Sequence, residues 1–242
     1  MTWRADERRC LRRYKRKGQR TMNEFMEFFN SSDPESVSTS VKLMLLLTVL
    51  SIAPGILILM TSFTRIIIVL SFVRTALATQ QMPPNQVLVG LAMFLSFFIM
   101  APTFQEVNEQ ALTPLFNEEI NLEQAYDKAS IPFKEFMSAH TRQKDLALFL
   151  QYAKADTPES VQDIPLTALV PAFAISEIKT AFQIGFMIFI PFLVIDMVVA
   201  SVLMSMGMMM LPPVMISLPF KILLFVMVDG WYLVVKSLLQ SF

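Results

Sequence analysis

Apolar residues are concentrated in four blocks along the chain, and one long polar stretch separates the first two blocks from the last two. The blocks cover roughly 43–64, 82–104, 180–211 and 214–235. A helix rises about 1.5 Å per residue, so blocks of this length can cross a hydrocarbon core of roughly 30 Å. The pattern predicts an all-α membrane protein with about four hydrophobic helices or helical hairpins. Pro54-Gly55 interrupts the first block and predicts a kink there.

The polar stretch, residues 103–164, holds eleven acidic and five basic residues. Helical spacing recurs within it, in NLEQAYDKA and in TRQKDLALFLQYAK, so we expect a small helical insert. The predicted organisation follows from these changes in composition. It consists of a basic extension (1–21), a polar segment (22–41), a first hydrophobic helical hairpin (42–104), an extracytoplasmic helical insert (105–164) and a C-terminal hydrophobic hairpin (165–242).

Composition supports a membrane protein and argues against metal or disulfide chemistry. The chain is 54% hydrophobic with a mean hydropathy of +0.52, and it contains one cysteine, Cys10, and one histidine. One cysteine cannot form a disulfide within the chain. The formal net charge is zero, but the first 20 residues carry nine Lys and Arg against two acidic residues. Such a segment could contact anionic lipid or nucleic acid, or it could begin a signal peptide. We interpret residues 1–21 as lying upstream of a natural start at Met22.

The positions of basic residues predict an orientation. Arg65 and Arg74 lie between the first two apolar blocks without any acidic residue, which indicates a connection on the cytoplasmic side. The insert and residues 22–41 would then face outside. Residues 22–41 contain no Lys or Arg, whereas a chain beginning at residue 1 would have to move nine positive charges across the membrane.

Enzyme chemistry finds little support in the sequence. His140 lies in a polar context, SAHTRQKD, which predicts a solvated surface histidine. The chain has six glycines and no phosphate-binding or nucleophile motif. We therefore expect no catalytic residue, cofactor or metal, and no nucleic-acid partner.

Charged residues inside apolar blocks are costly in a membrane, so each requires a partner or a watery cavity. Asp196 and Lys221 flank the Pro212-Pro213 break, and they could pair within one chain or between neighbouring copies. Alternatively, Lys221 could extend to the interface while Asp196 bonds to the backbone or to water. Glu177 and Lys179 are two residues apart, so they do not face each other on a helix and need different partners.

The segment SMGMMMLPPV carries four methionines, Met206, Met208, Met209 and Met210, around Gly207. Methionine is flexible and adapts to irregular surfaces, but lipid contact or core filling is the usual reason for such a run in a membrane helix. Pro212 and Pro213 predict that the chain turns here.

Several stretches resemble the FliP family. They are PAFAISEIKTAFQIGF and PFLVIDMVVASVLMSMGMMML, with LPFKILLFVMVDGW and the stretch from Pro54 to Leu95 in support, and the resemblance extends over residues 22–242. It implies a non-enzymatic, all-helical component of the bacterial flagellar export gate. In this family five copies assemble with FliQ and FliR in the cytoplasmic membrane at the flagellar basal body, and unfolded flagellar subunits pass through. The hairpins need not all cross the bilayer.

The resemblance also implies a role for the methionine-rich turn, as a gasket around the pore formed by Met206, Met208, Met209 and Met210. An apolar constriction excludes water and ions, and flexible thioethers can close around a passing chain. The alternatives are a homologue from the injectisome branch of type III secretion, a small-solute or ion transporter, and a scaffold that lines no pore.

Overall fold

A computed structural model describes residues 34–79, 81–153, 158, 160–208 and 211–242. The predicted basic extension, residues 1–21, lies outside the described residues. The chain divides into two compact units, one ending at Ile56 and the other comprising Leu57–Phe242. Helices account for 84% of the described residues, which contain no strand, and this confirms the predicted all-α class.

Helix α1 comprises Pro34–Leu59 and continues through Pro54. Its described side chains are mostly large, apolar and exposed, as are Leu45, Leu46 and Leu50. The hydroxyls of Thr48 and Ser51 donate to carbonyls four residues earlier, at 2.8 Å each. A helix whose polar groups are satisfied internally is compatible with a hydrocarbon environment.

Helix α2, Phe63–Ala76, is the centre of the main core. Ile66, Val69, Leu70 and Val73 recur at helical spacing and are fully buried. The helix packs against α3, Asn85–Val107, and against the long helix α7, described below. The sequence predicts a short connection between the first two membrane blocks, carrying Arg65 and Arg74, but most of this connection is helix α2. IIIVLSFV belongs to a core helix because its buried face packs against α3 and α7.

The polar insert begins where α3 continues through a π-helical turn, Asn108–Leu112, into α4, Thr113–Phe116. Helix α5 spans Leu122–His140 and starts at a capping box formed by Asn121 and Gln124. Helix α6 spans Gln143–Ala153. A second, smaller apolar cluster joins the insert to α7; it consists of Met137, Ile164, Leu169 and Phe173.

Helix α7, Leu166–Ser205, has 40 residues and contains Pro171 and Pro191. At about 1.5 Å per residue it is roughly 60 Å long, about twice a hydrocarbon core. Its first part packs on the insert, and its later part pairs with α8, Pro213–Met227. The single helix therefore connects the polar insert to the apolar C-terminal hairpin.

The last helix, α9, spans Gly230–Gln240 and is bent by 63° from α8. The bend occurs at Asp229, which is left-handed with φ 51°. A Cβ on Gly230 would lie 2.3 Å from ring carbons of Phe225, so glycine allows this close approach.

By length and composition, α7 and the α3–α4 helix could each cross a membrane, and the described helices supply up to four spans if each bent pair counts as one. This range includes the predicted count of about four hydrophobic helices.

Candidate functional site

The methionine-rich turn joins α7 to α8, and hydrogen bonds at the end of α7 determine its backbone. Gly207 adopts the left-handed region, with φ 76°. Its amide donates to the Met204 carbonyl, and the Met208 amide donates to the Leu203 carbonyl, both at 3.0 Å. This pair of bonds is a Schellman motif, a common helix ending that favours glycine because no Cβ opposes a positive φ. Gly207 therefore ends α7 at a defined residue.

Two prolines define the other side of the turn. Pro212 has φ −67° and ψ 116° and is the N-cap of α8, and Pro213 is its first residue. A proline at this position loses nothing, because the first amides of a helix have no intrahelical partner. Met209 and Met210, which the sequence analysis assigned to the gasket, lie outside the described residues.

The described methionines at this end of the hairpin are exposed. Met206 is 66% exposed and Met208 is 40% exposed, and Met204 and Met215 on the adjoining helical turns are also exposed. We call these four residues the methionine surface. Exposed apolar surface at a defined position in a fold commonly marks a contact site.

An ion pair connects α7 and α8 within the apolar hairpin. The Lys221 ammonium donates to Asp196 Oδ2 at 2.7 Å, and the Ser217 hydroxyl donates to Asp196 Oδ1. Lys221 is 2% exposed and Asp196 is 26% exposed. Both partners belong to one chain, which is the first of the arrangements considered from the sequence. The pair neutralises two charges that the hydrocarbon phase would otherwise disfavour.

A second ion pair lies in the core, between α2 and α7. Arg65 donates from Nε to Glu177 Oε2 at 2.9 Å and from Nη2 to Glu177 Oε1. Its Nη1 donates to the main-chain oxygen and the hydroxyl of Ser241, at 2.6 and 3.0 Å. The guanidinium carbon lies 3.8 Å from the centroid of the Phe242 ring. Because both charged side chains are almost fully buried and bidentate, this pair holds α2, α7 and the end of α9 in one geometry.

This geometry gives Arg65 a partner that the sequence did not predict. Arg65 is 3% exposed and is neutralised by Glu177, whereas Arg74 lies near the α2–α3 connection and donates to the Asn85 side chain. That both residues lie on the cytoplasmic side stays a prediction.

Glu177 and Lys179 face different surroundings. Glu177 is buried against Arg65, whereas Lys179 is exposed. Lys179 lies on the side of α7 towards Asp145 of the insert, where its charge contributes to lowering the pKa of that carboxyl.

A polar network centred on Ser176, next to Glu177 in the sequence, joins α7 to the insert. The Ser176 hydroxyl donates to Asp145 Oδ2 at 2.7 Å and accepts from the Arg142 amide at 3.1 Å. Arg142 Nη2 also donates to Asp145 Oδ2, at 2.7 Å. The hydrogen bond from Ser176, assisted by the charge of Arg142, holds the pKa of Asp145 below its ordinary value. The network attaches the start of α6 to α7.

His140 is not the solvated surface residue that the sequence predicted. It is half-buried at the end of α5, between the rings of Phe136 and Phe242, with centroids at 4.8 and 5.2 Å. Its Nδ1 lies 2.8 Å from the Phe136 carbonyl oxygen, and its Nε2 lies 3.4 Å from the Phe242 main-chain oxygen. Sequence reasoning missed this position because Phe242 is 102 residues away along the chain.

Metal chemistry finds no support in the described part of the chain, where no group of three His, Cys, Asp or Glu side chains is placed to bind an ion. The polar groups instead pair with one another. What the arrangement offers is an exposed apolar methionine surface at one end of a hairpin whose helices are joined by the Asp196–Lys221 ion pair.

Comparison with known proteins adds the family to this geometry. The FliP family profile matches residues 46–238. The flagellar biosynthetic protein FliP of Bacillus subtilis (strain 168) is 80% identical over 221 residues, which are 91% of this chain and the whole of that protein. This chain belongs to the FliP family. The FliP proteins of Pectobacterium carotovorum subsp. carotovorum and Caulobacter vibrioides are 53% and 54% identical over 86% and 84% of this chain, and over 81% and 76% of their own lengths.

Membership of the FliP family makes the chain a flagellar export component. The Arg65–Glu177 pair, the Asp196–Lys221 pair and the methionine-rich turn all fall within the residues that the FliP profile matches. The apolar helices fit a membrane-associated member of the flagellar export apparatus.

Proposed function

We propose that the chain is a pore-forming core subunit of the flagellar type III protein export gate. In this role it conducts unfolded flagellar subunits across the cytoplasmic membrane, and its methionine-rich turn seals the conduit. The observation that carries the proposal is the methionine surface, which is apolar, exposed and placed at one end of the α7–α8 hairpin. Family membership supports the flagellar assignment, since the relatives compared are flagellar biosynthetic proteins.

The chemistry of the turn suits a seal that must open for chains of varied composition. An apolar constriction resists ion flow because water leaves it readily. Thioether side chains rotate about several bonds and fill irregular gaps, so they can close on side chains of different size. The seal would consist of Met206 and Met208, together with Met209 and Met210, whose assignment rests on the sequence.

The backbone around the turn supports the same role. A soft seal works only if its supports do not move, because otherwise the constriction would widen under load. Gly207 ends α7 through two hydrogen bonds, and Pro212 and Pro213 start α8. Within the hairpin, the ion pair between Asp196 and Lys221 joins the same two helices.

The proposed assembly follows the family resemblance. One short turn with four methionines does not encircle a conduit by itself, so we propose a ring of copies, a pentamer in the family, together with FliQ and FliR. The location would be the bacterial cytoplasmic membrane at the flagellar basal body, as a multi-pass component. The insert would lie outside the cytoplasm, and residues near Arg74 would lie on the cytoplasmic side.

Site-specific cross-linking to a stalled substrate tests the proposal. A flagellar subunit fused to a stably folded domain would stop in transit, and a photoreactive amino acid would replace Met206 or Met208. Met227 is the matched control, because it is also a methionine, is 76% exposed and ends α8 at the opposite end from the turn. We expect substrate adducts from positions 206 and 208 and none from 227. Adducts from 227 alone, or equal yields from all three positions, would contradict the proposal.

Ion leak provides a second test of the seal. Changing Met208, Met209 and Met210 to alanine should raise the leak of cells that assemble the gate normally, because smaller side chains leave a wetter constriction. Met227→Ala should leave the leak unchanged. An unaltered leak in the triple variant would place the seal elsewhere.

Transport of a small solute is a weaker interpretation of the same hairpin. It would require polar groups that converge on a ligand near the middle of the membrane. Asp196 and Lys221, two charged residues within this apolar hairpin, bind each other at 2.7 Å. Their mutual neutralisation favours a structural role in the hairpin.

A further inference from the structure

Helix α2 has an open apolar groove on the side that faces away from the core. A cavity of about 370 Å³ lies along this side and is lined by Ile67, Ile68, Ser71, Phe72 and Thr75. These residues recur at helical spacing over about 12 Å of the helix, and the fully buried residues of α2 lie on its opposite side. The volume falls in the range of about 300–1,000 Å³ that is usual for ligand pockets.

The chemistry of the groove favours an apolar occupant. Ile67, Ile68 and Phe72 contribute hydrocarbon surface. Both hydroxyls of the groove are already bonded within α2. The Ser71 hydroxyl donates to the Ile67 carbonyl at 2.8 Å, and the Thr75 hydroxyl donates to the Ser71 carbonyl at 2.9 Å. A hydrocarbon chain can therefore cover these groups without breaking a hydrogen bond.

Contacts with α7 fix one wall of the groove. The ring of Phe72 meets the ring of Phe182 edge to face, with centroids 5.2 Å apart. A Cβ at Gly185 would lie 2.5 Å from Cγ of Phe72, so the absence of a side chain lets α7 approach this ring closely. Because α7 holds Phe72 in this position, its ring does not turn to fill the groove.

A positive charge lies at one end of the groove. Arg74 is in the last turn of α2, next to Thr75, and helical spacing puts it on the same side as Ile67 and Ser71. Its Nη1 donates to the side-chain oxygen of Asn85, which is a neutral group. The ion pairs among the described residues do not include Arg74, and residues 43–105 contain no Asp or Glu. The guanidinium can therefore receive an anion.

We propose that this groove binds an acyl chain of an anionic phospholipid, whose phosphate accepts hydrogen bonds from Arg74. The apolar groove and the charge at its end complement the two parts of such a lipid, a hydrocarbon chain and a negative headgroup. Arginine suits the headgroup because its planar guanidinium can donate two parallel hydrogen bonds to one phosphate. The proposal rests on the membrane location proposed above, but it does not depend on the methionine seal.

The start of α3 adds to the attraction for a phosphate at Arg74. This helix begins at Asn85, and Pro84 before it provides no side-chain cap. The first amides of a helix have no intrahelical partner, and this end carries a partial positive charge that offsets the negative end of α2. In the predicted orientation Arg74 lies on the cytoplasmic side, where anionic lipids attract basic residues.

Photoreactive lipids test the proposal on the full-length protein in lipid nanodiscs. Phosphatidylglycerol or phosphatidylcholine, each with a diazirine in one acyl chain, is added in trace amount, and mass spectrometry locates the adducts. We expect phosphatidylglycerol to label residues 67–75 about threefold or more above phosphatidylcholine, because only its headgroup carries a net negative charge. The exposed residues Leu223 and Met227 of α8 are the internal reference and should react equally with both lipids.

Competition identifies the source of the phosphate. Unlabelled phosphatidylglycerol should reduce the adducts at residues 67–75, whereas inorganic phosphate should not, because it lacks the chain that fills the groove. Competition by inorganic phosphate, or equal labelling of residues 67–75 by both lipids, would overturn the proposal. Adducts on α8 without adducts on residues 67–75 would overturn this site alone. An absence of adducts on every helix would overturn the site together with the membrane location.

Two variants separate the charge from the groove. Arg74→Gln should reduce phosphatidylglycerol labelling of residues 67–75 to the level of phosphatidylcholine, whereas Lys144→Gln, at an exposed position of the insert, should leave it unchanged. Ser71→Phe should fill the groove and reduce labelling by both lipids, whereas Ser201→Phe, at an exposed position of α7, should not. Unchanged labelling in Arg74→Gln or Ser71→Phe would refute the assignment, and the lipid preference of the unaltered protein decides the question if a variant fails to fold.

Discussion

The Asp196–Lys221 pair gives the sharpest test of how the hairpin beneath the turn is held. The two single variants Asp196→Ala and Lys221→Met each remove one charge and leave the other in place. The stranded groups differ in their surroundings. Lys221 is 2% exposed, whereas Asp196 is 26% exposed and keeps its hydrogen bond from Ser217. We therefore predict that the two variants lose unequal amounts of stability.

The magnitudes follow from that difference in burial. Removing one partner of a buried ion pair typically costs about 3–5 kcal/mol, because an uncompensated charge remains inside. Asp196→Ala, which strands Lys221, should fall in this range. Lys221→Met should cost less, about 1–3 kcal/mol, since the remaining carboxylate is less buried and keeps its hydrogen bond from Ser217. The double variant replaces the pair with apolar groups and should lie within about 1 kcal/mol of the unaltered chain.

The assay is reversible unfolding in mixed micelles of mild detergent and SDS, followed by far-ultraviolet circular dichroism. The four proteins form a double-mutant cycle, and the costs above imply a coupling free energy of about 4–8 kcal/mol, because the double variant is nearly neutral while the two single costs add. Exchanging the residues, Asp196→Lys with Lys221→Asp, should restore assembly that either single reversal abolishes. Equal costs for both single variants, or an additive double variant, would refute the reasoning from burial.

Three further predictions concern the backbone, the core pair and the insert. Gly207→Ala should destabilise the protein by about 1 kcal/mol because of its positive φ, whereas Gly90→Ala should stabilise it by about 0.5–1 kcal/mol because alanine favours the helix interior of α3. Both sites have free space around a Cβ, so a change of stability with the same sign at both would contradict this prediction. Glu177→Gln should lower the free energy of unfolding by about 3–5 kcal/mol and reduce the yield of folded protein, because the charge of Arg65 stays buried without an opposite charge. An unchanged yield and stability would count against this prediction. Asp145, whose pKa is lowered in the fold, should contribute stability that is present above about pH 4 and lost as the pH falls further. Ser176→Ala should weaken this dependence when unfolding is measured over a series of pH values, and an identical pH dependence in the variant would disprove the prediction.

Local features of the fold were predictable from the sequence because their causes are local. The apolar blocks predict helices through their length and composition. Gly207 and the two prolines after it indicate a turn because they restrict the backbone of their own neighbours. The break at Asp229-Gly230 could have been found in the same way, since Asp and Gly are both favoured where a chain turns.

The core arrangement was less predictable, because its contacts connect distant residues. The pairing of Arg65 could not be predicted, because its partner, Glu177, is 112 residues away along the chain. Without that partner the sequence indicates a short connection, whereas IIIVLSFV belongs to α2 at the centre of the core.

In the candidate site too, local features were predictable and contacts between distant residues were not. The methionines and Gly207 were identified from one short segment. The pairing of Asp196 with Lys221 was one of several possibilities, because depth in a hairpin depends on where the chain reverses. The environment of His140 was predicted wrongly, since nothing near it in the sequence reveals that Phe242 covers its ring.

The position of the methionine-rich turn in the assembled complex tests the central proposal most directly. An electron cryo-microscopy map of the complex, with Met206 and Met208 traced in each copy, gives the distance of every turn from the symmetry axis. We predict that the turns of all copies meet around the axis and form the narrowest apolar part of the conduit. Turns that point outward into lipid, far from the axis, would contradict the proposed seal.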